Sequence, residues 1–264
     1  MDVLSAVLLG IIEGITEFLP VSSTGHLLIA EQWLGQRSEL FNVVIQAGAI
    51  LAVVAVYWRR LLGMAVGWRD PANRDYLLKL LVAFVITGAL GFLAKKLGFK
   101  LPTTVIPIAW ALVIGGVWIL AAEWFAARQR DRTAVTWPVA VAVGLAQVVA
   151  AIFPGTSRSA ASIFAAMFAG TSNRAMATDF AFLVGIPTMF AASGYELLAT
   201  TKAGVAGEDW GQLAIAFVVA TVTAFVAVKW LLRYIQTHRF TAFAFYRIVL
   251  GVLLFGLVAA GMLV

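Results

Sequence analysis

Two glutamates, Glu13 and Glu17, lie four residues apart in an apolar stretch that ends at Pro20. That spacing places both carboxylates on one face of a helix, where they repel each other unless a cation lies between them. Carboxylate oxygens suit Mg²⁺ or Ca²⁺, and Mg²⁺ is often held by one or two carboxylates together with phosphate oxygens of a substrate. The pair therefore predicts a divalent-cation site. The alternative is a pair of helix-end carboxylates that face interfacial water.

The glutamates lead directly into a polar segment, Pro20-Val21-Ser22-Ser23-Thr24-Gly25-His26. It offers three hydroxyls, a glycine and the start of a helix, whose free N–H groups favour anions such as phosphate. His26 is a candidate acid or base, or a group that orients a serine. The alternative interpretation is structural: the hydroxyls cap the helix that follows, and His26 satisfies a buried backbone group.

A second polar segment, Pro154-Gly155-Thr156-Ser157-Arg158-Ser159, also follows an apolar run and opens a helix. Its guanidinium fork, hydroxyls and helix N–H groups suit the several oxygens of a phosphate. The alternative role of Arg158 is an ion pair with Glu13 or Glu17. The two roles are compatible, because a carboxylate can hold the arginine until a substrate arrives.

The composition places these segments in a membrane. Hydrophobic residues make up 62% of the chain and charged residues only 12%, against about 25% charge in an ordinary soluble domain. The net charge of +6 does not indicate nucleic-acid binding, because the basic residues lie at the ends of apolar stretches, where they meet lipid headgroups. The absence of cysteine excludes disulfides, thiolate metal sites and cysteine nucleophiles.

Six apolar stretches are long enough to cross about 30 Å of hydrocarbon as helices. They lie at about residues 40–58, 77–94, 104–124, 177–199, 211–229 and 244–263. The two stretches with polar segments differ, because each combines a helix, a polar break and a second short helix, over residues 3–34 and 137–170. Broken backbone at membrane depth is tolerated where it is buried in protein or lines a watery cavity. Each is therefore predicted to be a re-entrant hairpin that enters and leaves on one side.

The two hairpins resemble each other when residues 134 positions apart are compared. The pairs are Ala6 with Ala140, Val7 with Val141, Gly10 with Gly144, Glu13 with Gln147, Pro20 with Pro154, Ser22 with Thr156 and Ser23 with Ser157. Each half then holds one hairpin and three spans, and an odd number of spans inverts the second half relative to the first. We predict an all-α polytopic membrane protein, one membrane domain with an inverted-topology repeat of residues 1–134 and 135–264. The two polar breaks would then meet near the midplane in one composite site.

Charge predicts the orientation of the chain. If the chain begins outside, thirteen of the 19 lysines and arginines fall in cytoplasmic connections, Arg247 among them, and five fall outside, Lys100 among them. Only Arg158 remains, in the second break. The positive-inside rule therefore predicts both termini on the outer side of the membrane and a site that opens outward.

The chain resembles the bacterial undecaprenyl pyrophosphate phosphatases associated with bacitracin resistance over essentially its full length. Residues 13–26 are similar to the first signature of that family and residues 154–159 to the second. Lesser resemblances are Phe41 to Gly48, Phe180 to Pro187 and Tyr246-Arg247. The chain departs from the family at Ala160-Ala161-Ser162, where Gly-Ser-Thr is usual, and at Asp179, where glutamate is usual.

The resemblance implies hydrolysis of the terminal phosphate from a C55 polyprenyl pyrophosphate, which recycles the carrier lipid of cell-wall synthesis in the bacterial inner membrane. We then expect Glu13 and Glu17 to hold Mg²⁺ or Ca²⁺, and Arg158 to stabilise the charge in transfer. Ser23, assisted by His26, would be the nucleophile, and a rival mechanism uses metal-activated water with Ser23 only contacting phosphate. Further substrate contacts are expected from Ser22, Thr24, Gly25, Gln46, Gly155, Thr156, Ser157, Ser159 and Ser162. An alternative role for the Gln46 amide is to tie helices together.

A transporter is the leading alternative function, since inverted repeats with broken helices at the midplane are typical of alternating-access carriers. It would flip the polyprenyl phosphate, alone or after hydrolysis. A carrier needs binding groups but not a carboxylate pair beside serine and histidine, which favours the phosphatase. The expected partners are a polyprenyl pyrophosphate lipid and membrane lipids, with no nucleic acid, and a homodimer is an open alternative to a monomer.

Overall fold

The computed structural model describes residues 3–97, 104–203 and 209–263, so that Lys100 lies outside the described residues. Ten α-helices make up most of these ranges. They are α1 (Val3–Thr16), α2 (Ser23–Leu34), α3 (Glu39–Val66), α4 (Pro71–Lys96), α5 (Val105–Ala126), α6 (Trp137–Ile152), α7 (Arg158–Phe168), α8 (Arg174–Ala203), α9 (Trp210–Thr237) and α10 (Thr241–Ala259). The described ranges contain no strand, and the prediction of an all-helical fold is confirmed.

Six helices, α3, α4, α5, α8, α9 and α10, are long and apolar enough to cross a membrane, and each coincides with one predicted span. Several of them run past the predicted ends. α3 continues through Arg59 and Arg60 to Val66 and ends at Gly67, whose N–H donates to the Gly63 carbonyl at 2.9 Å. Charge ends the apolar stretch but not the helix, because arginine is a good helix former whose long side chain can reach headgroups.

The two shorter helix pairs, α1 with α2 and α6 with α7, form hairpins around the polar segments. Their second helices begin in the same way, with Ser22 capping α2 at a φ of 75° and Ser157 capping α7 at a φ of 69°. Each serine hydroxyl accepts a backbone N–H three residues later, from Gly25 at 3.4 Å and from Ala160 at 3.3 Å. Residues other than glycine rarely adopt positive φ, so the surrounding packing must hold both caps in a strained conformation.

These caps correct the sequence alignment of the hairpins by one residue. The constant offset of 134 pairs Ser23 with Ser157, whereas the structure pairs the caps Ser22 and Ser157. The second break has one residue more between its proline and its cap, and Gly155 within it has a φ of 84°. Ser23 and Arg158 therefore occupy the same position, the first residue of the second hairpin helix.

Each hairpin packs against the opposite half of the chain. α1 packs on α9 and α6 packs on α4, so each first hairpin helix lies against the second span of the other half. Gly10 and Gly144, which the sequence alignment pairs, allow these close approaches. A Cβ there would lie 2.6 Å from the Ala216 carbonyl oxygen and 2.9 Å from that of Ala83. This reciprocal packing, in which each hairpin lies against the other half of the chain, is consistent with an inverted repeat.

Candidate active site

Glu17 and Ser23 are directly hydrogen-bonded at the first break. Glu17 follows the end of α1 and Ser23 begins α2, so the turn at Pro20 brings the two side chains together. The Ser23 hydroxyl donates to Glu17 Oε2, and both side chains are buried. Gln46 of α3 lines the same cavity as this pair. A hydroxyl that donates to a buried carboxylate can pass its proton to that carboxylate as it attacks an electrophile.

Arg158 lines the same small polar cavity as this pair. The cavity has a volume of about 40 Å³, which is room for about three water molecules. Both breaks and α3 contribute polar lining residues, which are Glu17, Ser22, Ser23, Thr24, Gln46, Gly155, Ser157 and Arg158. Among the described residues, Arg158 forms no ion pair with either glutamate. Its half-buried guanidinium is therefore available to an anion in the cavity.

Glu13 lies one helical turn before Glu17, outside the lining of the cavity. Its side chain is 1% exposed, and neither carboxylate oxygen has a hydrogen-bond partner in the described part of the chain. An unpaired buried carboxylate is costly, so this side chain needs either a proton or a bound cation. No cluster of three or more His, Cys, Asp or Glu side chains exists within the described ranges. Two carboxylates nevertheless fit Mg²⁺, which takes further oxygens from a phosphate substrate and water.

Ser159 joins the two breaks instead of lining the cavity. Its hydroxyl donates to the Leu19 carbonyl of the first break at 3.1 Å and lies 3.0 Å from the Ser157 hydroxyl. Gly25 and Ser162 are also absent from the cavity lining. A Cβ on Gly25 would lie 3.1 Å from the Ile108 side chain, so this glycine allows α2 to approach α5 closely. The Ser162 hydroxyl is buried without a partner among the described residues.

His26 makes its hydrogen bonds away from Ser23. Its Nδ1 lies 2.7 Å from the Ser22 carbonyl oxygen, and its Nε2 lies 2.6 Å from the Tyr246 hydroxyl. A carbonyl only accepts hydrogen bonds, so Nδ1 carries a proton, and in the neutral ring Nε2 accepts from Tyr246. The sequence predicts that His26 assists Ser23, whereas in this arrangement the direct acceptor of the Ser23 proton is Glu17.

Arg247 is a further cation at the breaks, and its expected place in a cytoplasmic connection is wrong. The side chain is 0% exposed, and its hydrogen-bond partners among the described residues are backbone carbonyls. Its partners are Pro20 at 3.3 Å in the first break, Gly155 at 3.0 Å in the second, and Ala111 at 2.9 Å and Leu112 at 3.5 Å in α5. The sequence offered two signals. Arg247 is the fourth residue of the last predicted span, where a buried charge indicates a function, and Tyr246-Arg247 is one of the lesser family resemblances.

An apolar groove of about 590 Å³ adjoins the second break between α5, α6 and α7. Thr156, a predicted substrate contact, lines this groove and not the polar cavity. Pro154 lines both spaces. The second break therefore has a polar space and an apolar space beside it.

Known proteins match the chain over nearly its whole length. Residues 6–253 match the family described as bacitracin resistance protein BacA. Proteins of Rhizobium etli (strain CFN 42) and Rhizobium leguminosarum bv. trifolii (strain WSM2304), each named undecaprenyl-diphosphatase, are 67% identical over 264 and 265 residues and covered completely. One of the same name from Xanthomonas axonopodis pv. citri (strain 306) is 62% identical over 251 residues, 95% of each chain. The chain belongs to the BacA family.

Proposed function

We propose that this chain hydrolyses undecaprenyl diphosphate to undecaprenyl phosphate and inorganic phosphate. Relatives 61–67% identical to the chain carry that activity in their name. The observation that carries the proposal is the Ser23–Glu17 hydrogen bond in a cavity that Arg158 also lines. A nucleophile, its base and an anion-binding group are the parts that phosphoryl transfer needs. The product returns to cell-wall synthesis as its carrier lipid.

The reaction proceeds in two steps, in which a phosphoserine forms at Ser23 and is then hydrolysed. Ser23 Oγ attacks the terminal phosphorus while Glu17 takes the hydroxyl proton. The bond between that phosphorus and the bridging oxygen breaks, and undecaprenyl phosphate leaves with the electron pair and the proton from Glu17. Water then attacks the phosphoserine, giving a proton to Glu17. Ser23 Oγ leaves, recovers this proton, and inorganic phosphate is released.

Positive charge and helix N-termini stabilise the phosphoryl group during transfer. Ser23 and Arg158 are the first residues of α2 and α7, so both helices start at the cavity. Helix N-termini present free N–H groups and a positive dipole end to an anion. The Arg158 fork adds two parallel donors for phosphate oxygens, where the charge moves as the bond breaks.

Glu13 and Glu17 are the residues that would hold Mg²⁺ or Ca²⁺. The orphaned oxygens of Glu13 supply ligands of the type these cations prefer. Such a cation, when bound, neutralises charge on the diphosphate oxygens. Glu13 would hold the cation beside the cavity, while Glu17 serves both as ligand and as partner of Ser23.

The finer localisation follows from the charge distribution of the sequence. Six apolar helices form a multi-pass membrane protein, and the relatives are bacterial. We place the chain in the cytoplasmic (inner) membrane, with both termini and the opening of the cavity on the outer, periplasmic side. A homodimer is compatible with this placement, and cross-linking in membranes would detect it.

The test is release of inorganic phosphate from undecaprenyl diphosphate by the purified protein in detergent, with and without EDTA. We expect cation-dependent release by the wild-type protein and a loss of at least about a hundredfold in Glu17→Gln and in Arg158→Ala. Arg233→Ala is the control, because Arg233 is exposed on α9 and lies outside the cavity. Well-folded protein that binds the lipid without releasing phosphate would overturn the proposal in favour of a lipid transporter.

A further inference from the structure

We propose that the apolar groove between α5, α6 and α7 binds the first four or five isoprene units of the substrate and thereby sets its chain-length preference. The inference rests on the proposed function, because it takes a polyprenyl diphosphate as the occupant of the polar cavity. It adds a site for the lipid chain and a limit on how much of that chain is recognised.

The groove continues directly from the polar cavity across the second break. Pro154 lines both spaces. Thr156 lines the groove, whereas its neighbours Gly155 and Ser157 line the cavity. A molecule whose diphosphate lies beside Arg158 can therefore pass its chain over the break into the groove. The two adjoining spaces match the two chemical parts of one amphipathic substrate.

The walls suit a hydrocarbon chain that enters from a membrane. Trp110, Ile114 and Trp118 recur every four residues along α5 and are 46–61% exposed, so one side of the groove is open. The small side chains of Ala161 and Ala165 on α7 leave room between the helices. In a membrane the open side faces lipid, which allows the chain to enter sideways.

The volume limits the number of isoprene units. Benzene fits an apolar cavity of about 150 Å³, so a five-carbon isoprene unit needs about 125 Å³. The groove of about 590 Å³ therefore holds four or five units. The remaining units of an undecaprenyl chain would lie outside the groove, in hydrocarbon. Ala165 lies seven residues beyond Arg158, about 10 Å along the helix, so a chain of two units ends near it, whereas chains of five and eleven units pass it.

Two substitutions test the groove from opposite walls, Ala165→Phe on α7 and Ala146→Phe on α6. Phosphate release is measured from diphosphates with two, five and eleven isoprene units in one detergent. The ratio of variant to wild-type kcat/KM at each length cancels differences in how the substrates partition into micelles. We expect a ratio near one for two units and about one tenth for five and eleven units. Activity on the two-unit substrate also shows that a variant is folded.

Val222→Phe is the matched control, because Val222 is an exposed apolar residue on α9 outside the groove. Its ratio should stay near one at every length. Equal ratios at all three lengths in both groove variants would overturn the inference while leaving the proposed function intact. Should either phenylalanine abolish folding, Ala165→Leu provides the same comparison with a smaller side chain. No phosphate release by the wild-type protein from any of the three substrates would instead overturn the proposed function and this inference with it.

Discussion

The contact between Ser23 and Glu17 makes these two residues one catalytic unit. Because the hydroxyl donates to the carboxylate, removing either partner removes the same proton transfer. We expect Ser23→Ala and Glu17→Gln each to lower kcat/KM about a thousandfold, and the double variant to lose far less than the roughly millionfold that independent effects would give. Phosphate release at one fixed pH measures all four proteins. A Ser23→Ala enzyme that keeps more than a tenth of the activity would show that Ser23 is not the nucleophile.

Glu13 offers a test of cation binding that does not depend on activity. A cation that binds only the folded protein raises the midpoint of thermal unfolding as its concentration rises. The wild-type midpoint should therefore rise with Mg²⁺ and fall back with EDTA, whereas Glu13→Gln should show little response. Without Mg²⁺ the variant should be at least as stable as the wild type, because the neutral amide is cheaper to bury than an unpaired carboxylate. An unchanged Mg²⁺ response in the variant would remove Glu13 from the site.

At the scale of the helices, two glycines set how closely each hairpin approaches the other half of the chain. Alanine at Gly10 or Gly144 would place a Cβ 2.6 or 2.9 Å from a backbone carbonyl oxygen, and backbone cannot move aside cheaply. We expect each substitution to lower the free energy of unfolding by about 1 to 3 kcal/mol. Unfolding by denaturant in detergent measures the change.

The control for these glycines is Gly88→Ala on α4, where a Cβ would meet nothing within 4 Å. Alanine favours a helix over glycine by about 1 kcal/mol, so this variant should be as stable as the wild type or more stable. Equal effects at Gly88 and Gly10 would mean that helix propensity, and not the close approach, explains the losses.

Much of the helix pattern could be predicted from the sequence, because apolar length and interruption by proline and polar residues are local properties. The equivalence of the two caps was harder to predict. Because the second break has one extra residue, the residue equivalent to Ser157 is Ser22 and not Ser23. The direction of His26 could not be predicted at all, since Tyr246 lies 220 residues away. Residue types at the breaks follow from motifs, whereas side-chain partners depend on how distant helices pack.

At the scale of the whole molecule, Arg247 connects the two breaks to each other and to α5. Its guanidinium donates to one carbonyl in each break and to two in α5, and no carboxylate pairs with it among the described residues. Gly115 makes room for it, since a Cβ there would lie 2.1 Å from Nη2. The charge pattern assigns Arg247 to a connection because lysines and arginines usually cluster at the ends of spans. The four carbonyls that it contacts come from segments far apart in the chain, so the sequence does not show that they meet.

Arg247→Lys tests whether this connection positions the active site. Lysine keeps the charge but has three donors on one nitrogen, so at least one of the four charge-assisted hydrogen bonds is lost, at about 1.5 to 3 kcal/mol. We expect an unfolding free energy lower by about 2 kcal/mol and, at temperatures where the variant is fully folded, a kcat reduced about tenfold. The matched control is Arg60→Lys, whose arginine pairs with Asp179 and is 40% exposed, so it should lose less than about 1 kcal/mol. A folded Arg247→Lys enzyme with unchanged kcat would show that the carbonyl contacts stabilise the fold without controlling how Ser23 and Arg158 face the substrate.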